Sequence, residues 1–284
     1  MEMISEGDLL WKPSAAVKEA ANLSHYMAWL EKYRGLTFAA YPDLWLWSVT
    51  NLEQFWETMW DYFSIEAARP YSEVLNERKM PGAEWFSGAE LNYTQLVFRN
   101  MNRERPAMLY AAEDGEISQI SWQQLYTKTA AIAQSLRQLG IKRGDRVVAY
   151  MPNIPDTIMA LLACASLGAV WSSCSPDFGS PSVLDRFRQI EPKALIAVNG
   201  YLWQGKVYDR HQVVAELQAS LPTLENTILV PLLGGATQGH DLPNTMLWDQ
   251  ALRTSDQALE YEQVLFSHPL WVLYSSGTTG LPKP

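Results

Sequence analysis

The residues best suited to chemistry stand together in the run YSSGTTGLPKP at residues 274–284. Gly277 and Gly280 carry no Cβ, so backbone N–H groups beside them can close on an anion. Ser275, Ser276, Thr278 and Thr279 add hydroxyl donors, and Lys283 adds a compact cation that reaches phosphate oxygens without bidentate geometry. The set suits a polyphosphate. Its spacing is not that of the Walker loop G-x-x-x-x-G-K-[ST], because Leu281 and Pro282 separate Gly280 from the lysine, which argues against a P-loop nucleotidase. A Gly/Ser/Thr surface loop is the competing reading of any short piece of the string, but the complete string follows an apolar run at 270–274 that reads as a buried strand.

A phosphate grip needs rigid elements to present it. From about residue 106 the sequence alternates strand-like and helix-like segments. Residues 107–112 and 116–120 read as a hairpin across Glu113-Asp114-Gly115. Ser121, with Gln124 three residues on as in a capping box, opens a helix that stops at Gly140. A strand at 146–151, a helix from Pro155 to a cap at Gly168 and a strand at 169–174 follow. Helices around 183–189 and 207–217 then alternate with strands at 194–198 and 227–230. This is α/β alternation: mainly parallel sheets covered by helices, with ligands expected at the carboxyl ends of strands.

The first part of the chain is different. Trp11, Trp29, Trp45, Trp47, Trp56, Trp60 and Trp85 crowd into it, and Leu52, Phe55, Trp56, Met59, Trp60 and Phe63 recur at helical spacing. Such a stripe is read as packing surface, with an aromatic ligand box as the sharper alternative. A net charge of −9 without a Lys/Arg cluster argues against a nucleic-acid partner. Cys164 and Cys174 lie in apolar runs and read as reduced, buried thiols, which suits a cytoplasmic protein. The start, MEMISEGDLLW, lacks the basic and apolar pattern of an export signal. The uncharged stretch between Asp156 and Asp177 is broken by serines and glycine and reads as core, not as a membrane span. His25, His211, His240 and His268 have no metal-ligand spacing, so no metal site is expected among the protein's own residues. Asp177 reads as a turn cap, with a place lining the site as the alternative, Asp185 and Arg186 as a solvated helix face, and His268 as structural.

Several strings carry a resemblance. YSSGTTGLPKP is similar to the phosphate loop of the adenylate-forming (AMP-binding) superfamily, and WFSGAELNY at 85–93, GDRVVAYMPN at 144–153, WSSCSPDFG at 171–179 and VLDRFRQIEPKALI at 183–196 resemble its acetoacetate-activating CoA ligases. TQLVF at 94–98 and Pro284 depart from that pattern. The resemblance implies a helical, aromatic-rich N-terminal extension at 1–84 and the first part of an AMP-binding N-terminal domain at 85–284. It implies ATP with Mg2+, acetoacetate and coenzyme A as small-molecule partners, with Ser275, Ser276, Gly277, Thr278, Thr279, Gly280 and Lys283 on the ATP phosphates and Lys283 also serving catalysis. The family's acyl pocket, adenine contacts and adenylation lysine follow the phosphate loop. The 284 residues are therefore expected to be an N-terminal portion with little or no turnover alone. A short-chain ligase for acetate or propionate, and a non-catalytic binding or assembly module, remain the alternatives.

Overall fold

The computed structural model describes residues 5–99, 101–102, 104–113, 115–234, 241–254, 258–275, 280 and 282–284. The chain forms two compact units, Met1–Glu66 with Ser72–Ser87, and Ala67–Tyr71 with Gly88–Pro284.

In the first unit, α1 (Ala15–Glu19) is capped by the Ser14 side chain, which accepts from the Val17 N–H. Helix α2 (Asn22–Arg34) ends at Gly35 in the left-handed region, where glycine carries no steric penalty. Helices α3 (Tyr41–Thr50) and α4 (Leu52–Tyr62) follow, then the antiparallel pair β1 (Glu73–Leu75) and β2 (Trp85–Ser87). The aromatic stripe does pack: Tyr26, Leu30 and Leu44 form a core against which Trp47, Phe55, Met59 and Tyr62 lie, and the Trp60 ring sits 4.7 Å from that of Phe86. The Tyr26 hydroxyl is hydrogen-bonded to Thr58 Oγ1 at 2.7 Å, so the polar tip of this buried ring is satisfied. Trp56 and Phe63, at the stripe's margins, stay exposed.

In the second unit, β3 (Glu90–Leu91), α5 (Tyr93–Arg99) and the hairpin β4 (Met108–Tyr110) and β5 (Ser118–Ile120) precede the main sheet. Helix α6 (Trp122–Gln138) has the expected reciprocal cap, Gln124 N–H to Ser121 Oγ at 3.1 Å and Ser121 N–H to Gln124 Oε1 at 2.8 Å. Then come β6 (Arg146–Tyr150), α7 (Pro155–Ser166), β7 (Val170–Cys174), α8 (Ser180–Phe187) with a 3-10 turn at Arg188–Ile190, and β8 (Ala194–Val198). A hairpin of β9 (Gly200–Trp203) and β10 (Lys206–Asp209) leads to α9 (His211–Ser220), β11 (Asn226–Val230), β12 (Thr245–Leu247), α10 (Trp248–Ala251) and β13 (Val264–Leu265), which pairs with β3.

The five-stranded sheet has the order β12-β11-β8-β6-β7, and every pairing in it is parallel. The α/β expectation with a mainly parallel sheet therefore holds. Val147, Ala149, Ile196 and Val198 face one core with Ile132, Leu136 and Met159, while Val148, Tyr150, Leu195 and Ala197 face the other with Val183, Phe187 and Leu217. Burial on both faces is why these strands read as unbroken apolar runs. From β6 the chain passes outward to β7, then crosses back to β8 on the other side of β6. That reversal opens a crevice at the carboxyl ends of the strands.

Two expectations are corrected. No helix begins near residue 207: β9 and β10 pair there around a two-residue turn in which Gln204 and Gly205 both have positive φ, and the helix starts only at His211. The run at 270–274 is not a full strand. It touches the sheet through one parallel bridge, Trp171 to Trp271, because only the Trp171 backbone reaches it, with its N–H on the Leu270 carbonyl and its carbonyl on the Val272 N–H.

Candidate functional site

The segment carrying the phosphate-loop sequence leaves the sheet beside β7. Ser172 Oγ donates to the Val272 carbonyl at 2.9 Å, adding a side-chain tie to the single bridge. Beyond Tyr274 the chain turns back on itself. The Ser275 N–H donates to the Lys283 carbonyl at 3.0 Å, and the Lys283 N–H donates to the Ser275 carbonyl at 3.3 Å. Ser275 and Lys283, predicted from sequence to share one anion, are thus brought together as paired stems, both exposed. Gly280 has φ +104, a conformation that residues with a Cβ rarely adopt, and a Cβ there would meet no atom within 4 Å. Ser276, Gly277, Thr278 and Thr279 lie outside the described residues. Among the described residues the Lys283 ammonium forms no ion pair, which leaves it available to an incoming anion.

A second feature sits at the carboxyl ends of the strands. A cavity of about 650 Å³ is lined by Pro152 and Asn153 after β6, Ser175 and Asp177 after β7, Tyr201 on β9 and Leu233 after β11. Asp177 thus lines a cavity as well as standing in a turn.

The wall formed by residues 175–178 is fastened from below. The buried Tyr150 hydroxyl donates toward the carbonyls of Pro176 and Phe178, each at 2.7 Å, and Arg210 Nε donates to the Pro176 carbonyl at 2.6 Å. Burial pushes the Tyr150 phenol up to about 12, with Arg210 acting in the opposite direction, so it remains a donor at neutral pH. The Arg210 guanidinium lies over the rings of Tyr201 and Tyr208, which stack 5.1 Å apart. At Gly200 a Cβ would come within 2.3 Å of Leu233 Cδ1 and 2.5 Å of the Tyr208 carbonyl, so only glycine permits this close approach. Tyr150 and Arg210 escaped sequence reasoning. The one available signal was a tyrosine ending an otherwise aliphatic strand.

The remaining candidates are structural. His268 Nε2 lies 2.8 Å from the Gly168 carbonyl and donates to it. Cys164 and Cys174 are free and buried; burial pushes both thiols up, Cys174 to about 11, so neither is a nucleophile at neutral pH. Among the described residues no group of three or more His, Cys, Asp or Glu is placed to hold a metal ion, and no helix is long and apolar enough to cross a membrane. Arg186 departs from its reading as a solvated side chain: its guanidinium lies over the Phe178 ring at 5.2 Å and the Tyr274 ring at 6.0 Å.

Comparison with known proteins adds to this geometry. The family model described as AMP-binding enzyme matches residues 97–284, and that described as acetyl-coenzyme A synthetase N-terminus matches residues 41–97. The chain is similar to the acetoacetyl-CoA synthetase of Macaca fascicularis, with 38% identity over 99% of this chain and 43% of the relative. It is also similar to the acetoacetyl-coenzyme A synthetase of Rhizobium meliloti, with 35% identity over 96% of this chain and 42% of the relative. Among solved structures, an acetoacetyl-CoA synthetase from Streptomyces lividans superposes with a TM-score of 0.90 at 46% identity, covering 96% of this chain and 42% of that one. The chain thus spans a little over two fifths of the length of the curated relatives it matches.

Proposed function

We propose a reaction on one premise: the chain belongs to the AMP-binding enzyme family. The protein of which this chain spans a part activates acetoacetate. A carboxylate oxygen of acetoacetate attacks the α-phosphorus of ATP, forming the acyl–oxygen–phosphorus linkage of acetoacetyl-adenylate and expelling pyrophosphate. The thiol sulfur of coenzyme A then attacks the acyl carbon, loses its proton, and displaces AMP. What carries the reading is likeness to acetoacetyl-CoA synthetases over nearly the whole chain, together with paired stems that put Ser275 and Lys283 side by side.

The first step is phosphoryl chemistry, which depends on positioning and on stabilising charge that develops on the leaving pyrophosphate. In this reading residues 275–280 surround the β- and γ-phosphates with N–H and hydroxyl donors, and the Lys283 ammonium meets the charge left on pyrophosphate. Magnesium bound to the triphosphate would supply charge neutralisation; the described residues offer it no cluster of three or more His, Cys, Asp or Glu of their own. We divide the chain functionally into an N-terminal extension at 1–84 and the opening of the AMP-binding domain at 85–284, and place the protein in the cytoplasm, in keeping with two free cysteines.

The match of residues 41–97 to an acetyl-coenzyme A synthetase N-terminus keeps acetate as the second reading. Isotope exchange between pyrophosphate and ATP, measured in a protein of the relatives' length, separates the two. Exchange driven by acetoacetate and not by acetate is expected; exchange driven by acetate alone would replace the substrate.

A further inference from the structure

The two stems of the phosphate loop are each tied to the same small element. Helix α8 is anchored to the sheet by Val183 and Phe187, both fully buried, so its carboxyl end is a fixed point. The Arg186 carbonyl, in the last turn of that helix, accepts from the Tyr274 hydroxyl at 2.8 Å. The same carbonyl faces the Arg188 N–H at the helix cap, so the hydroxyl adds a second donor at the helix end. Burial pushes the Tyr274 phenol up to about 12, and it stays a donor at neutral pH. Its ring lies beneath the Arg186 guanidinium, which is itself held by the Ser182 carbonyl at 2.7 Å and Ser182 Oγ at 2.6 Å. One residue before the far stem, the Pro282 carbonyl accepts from Gln189 Nε2 at 2.8 Å; the same amide also donates to the Asp185 carbonyl at 2.6 Å and is thereby aimed from the 3-10 turn.

A bridge between Ser275 and Lys283 alone fixes the stems to each other but leaves the pair free to swing about one weak edge contact. Two further attachments, one per stem and both from a rigid helix end, remove that freedom. We propose that α8 and its 3-10 turn are the positioning clamp of the phosphate loop, with the Arg186 carbonyl holding Tyr274 and Gln189 holding Pro282, so that Ser275 and Lys283 are presented to phosphate in fixed register. Gln189 and Tyr274 are positioning residues. This rests on the phosphate reading of the loop, and the test keeps the two separable.

The test uses Gln189→Leu and Tyr274→Phe, singly and together, in a protein of the relatives' length. Neither change touches the apolar core, and thermal midpoints should stay close to wild type. Residue-resolved amide exchange at Ser275 and Lys283 reads the clamp, and inorganic pyrophosphate titration reads the consequence. Loss of one such hydrogen bond should speed exchange at both amides about fivefold, and loss of both should multiply the effects. Pyrophosphate should bind correspondingly more weakly to the double variant. Unchanged exchange overturns the clamp. Faster exchange with wild-type pyrophosphate affinity overturns its role in presenting the grip. If the wild-type chain binds no pyrophosphate, the phosphate reading fails, and the clamp stands or falls on exchange alone.

Discussion

Strand β8 and the segment at 270–274 run in the same direction in one sheet yet are held in opposite ways. All five residues of β8 are buried, and its backbone is bonded to β6 on one side and β11 on the other. The 270–274 segment meets the backbone of β7 at one residue, and its Trp271 and Leu273 are 43% and 70% exposed. The centre of the sheet is placed by burial and a complete ladder; the edge segment that leads to Ser275 and Lys283 is placed by Ser172, Tyr274 and Gln189. If the proposed phosphate grip is right, stability and chemistry draw on different residues, and substitutions should separate them.

The largest effect is expected at the centre. Ile196→Ala removes a fully buried side chain from β8 and should cost about 2–5 kcal/mol in denaturant unfolding. A loss well below that would mean the centre is as loosely held as the edge. Next is Tyr150→Phe, which leaves the Phe178 carbonyl without this donor while the Pro176 carbonyl keeps Arg210 Nε, and should cost about 1–2 kcal/mol at neutral pH.

The same residue sets an alkaline dependence. Its phenol is raised above the usual value of 10.0 to about 12 because burial disfavours the anion. The native state thus holds the proton more tightly than the unfolded chain. That contribution is complete below pH 10 and is lost as pH rises from 10 towards 12. Thermal midpoints should fall across this range, less steeply in Tyr150→Phe; equal slopes would remove Tyr150 as a cause. The smallest effect is at the edge: Leu273→Ser should change stability by less than about 0.5 kcal/mol in the same unfolding assay.

How much of this was legible in the sequence follows the same division. The apolar runs of β6, β7 and β8, and the Ser121–Gln124 cap, are local patterns, and each appears where the pattern puts it. The string with its glycines, hydroxyls and lysine marked Ser275 and Lys283 as candidates, but that their backbones pair was not visible in it. The β9–β10 hairpin was missed because its turn, Gln204-Gly205, sits among residues that suit a helix start equally well. Gln189 and Arg210 were missed for another reason: their carbonyl partners lie 93 and 34 residues away, and no local period encodes a contact across that distance.

The central claim is that Lys283 meets ATP phosphate from the stem paired with Ser275. In a protein of the relatives' length, the ATP dependence of acetoacetate-driven pyrophosphate exchange tests it directly. With Lys283→Ala the KM for ATP should rise at least about tenfold, the scale of one lost charge-assisted contact of about 1.5–3 kcal/mol, while the thermal midpoint holds. An unchanged ATP requirement would contradict the account.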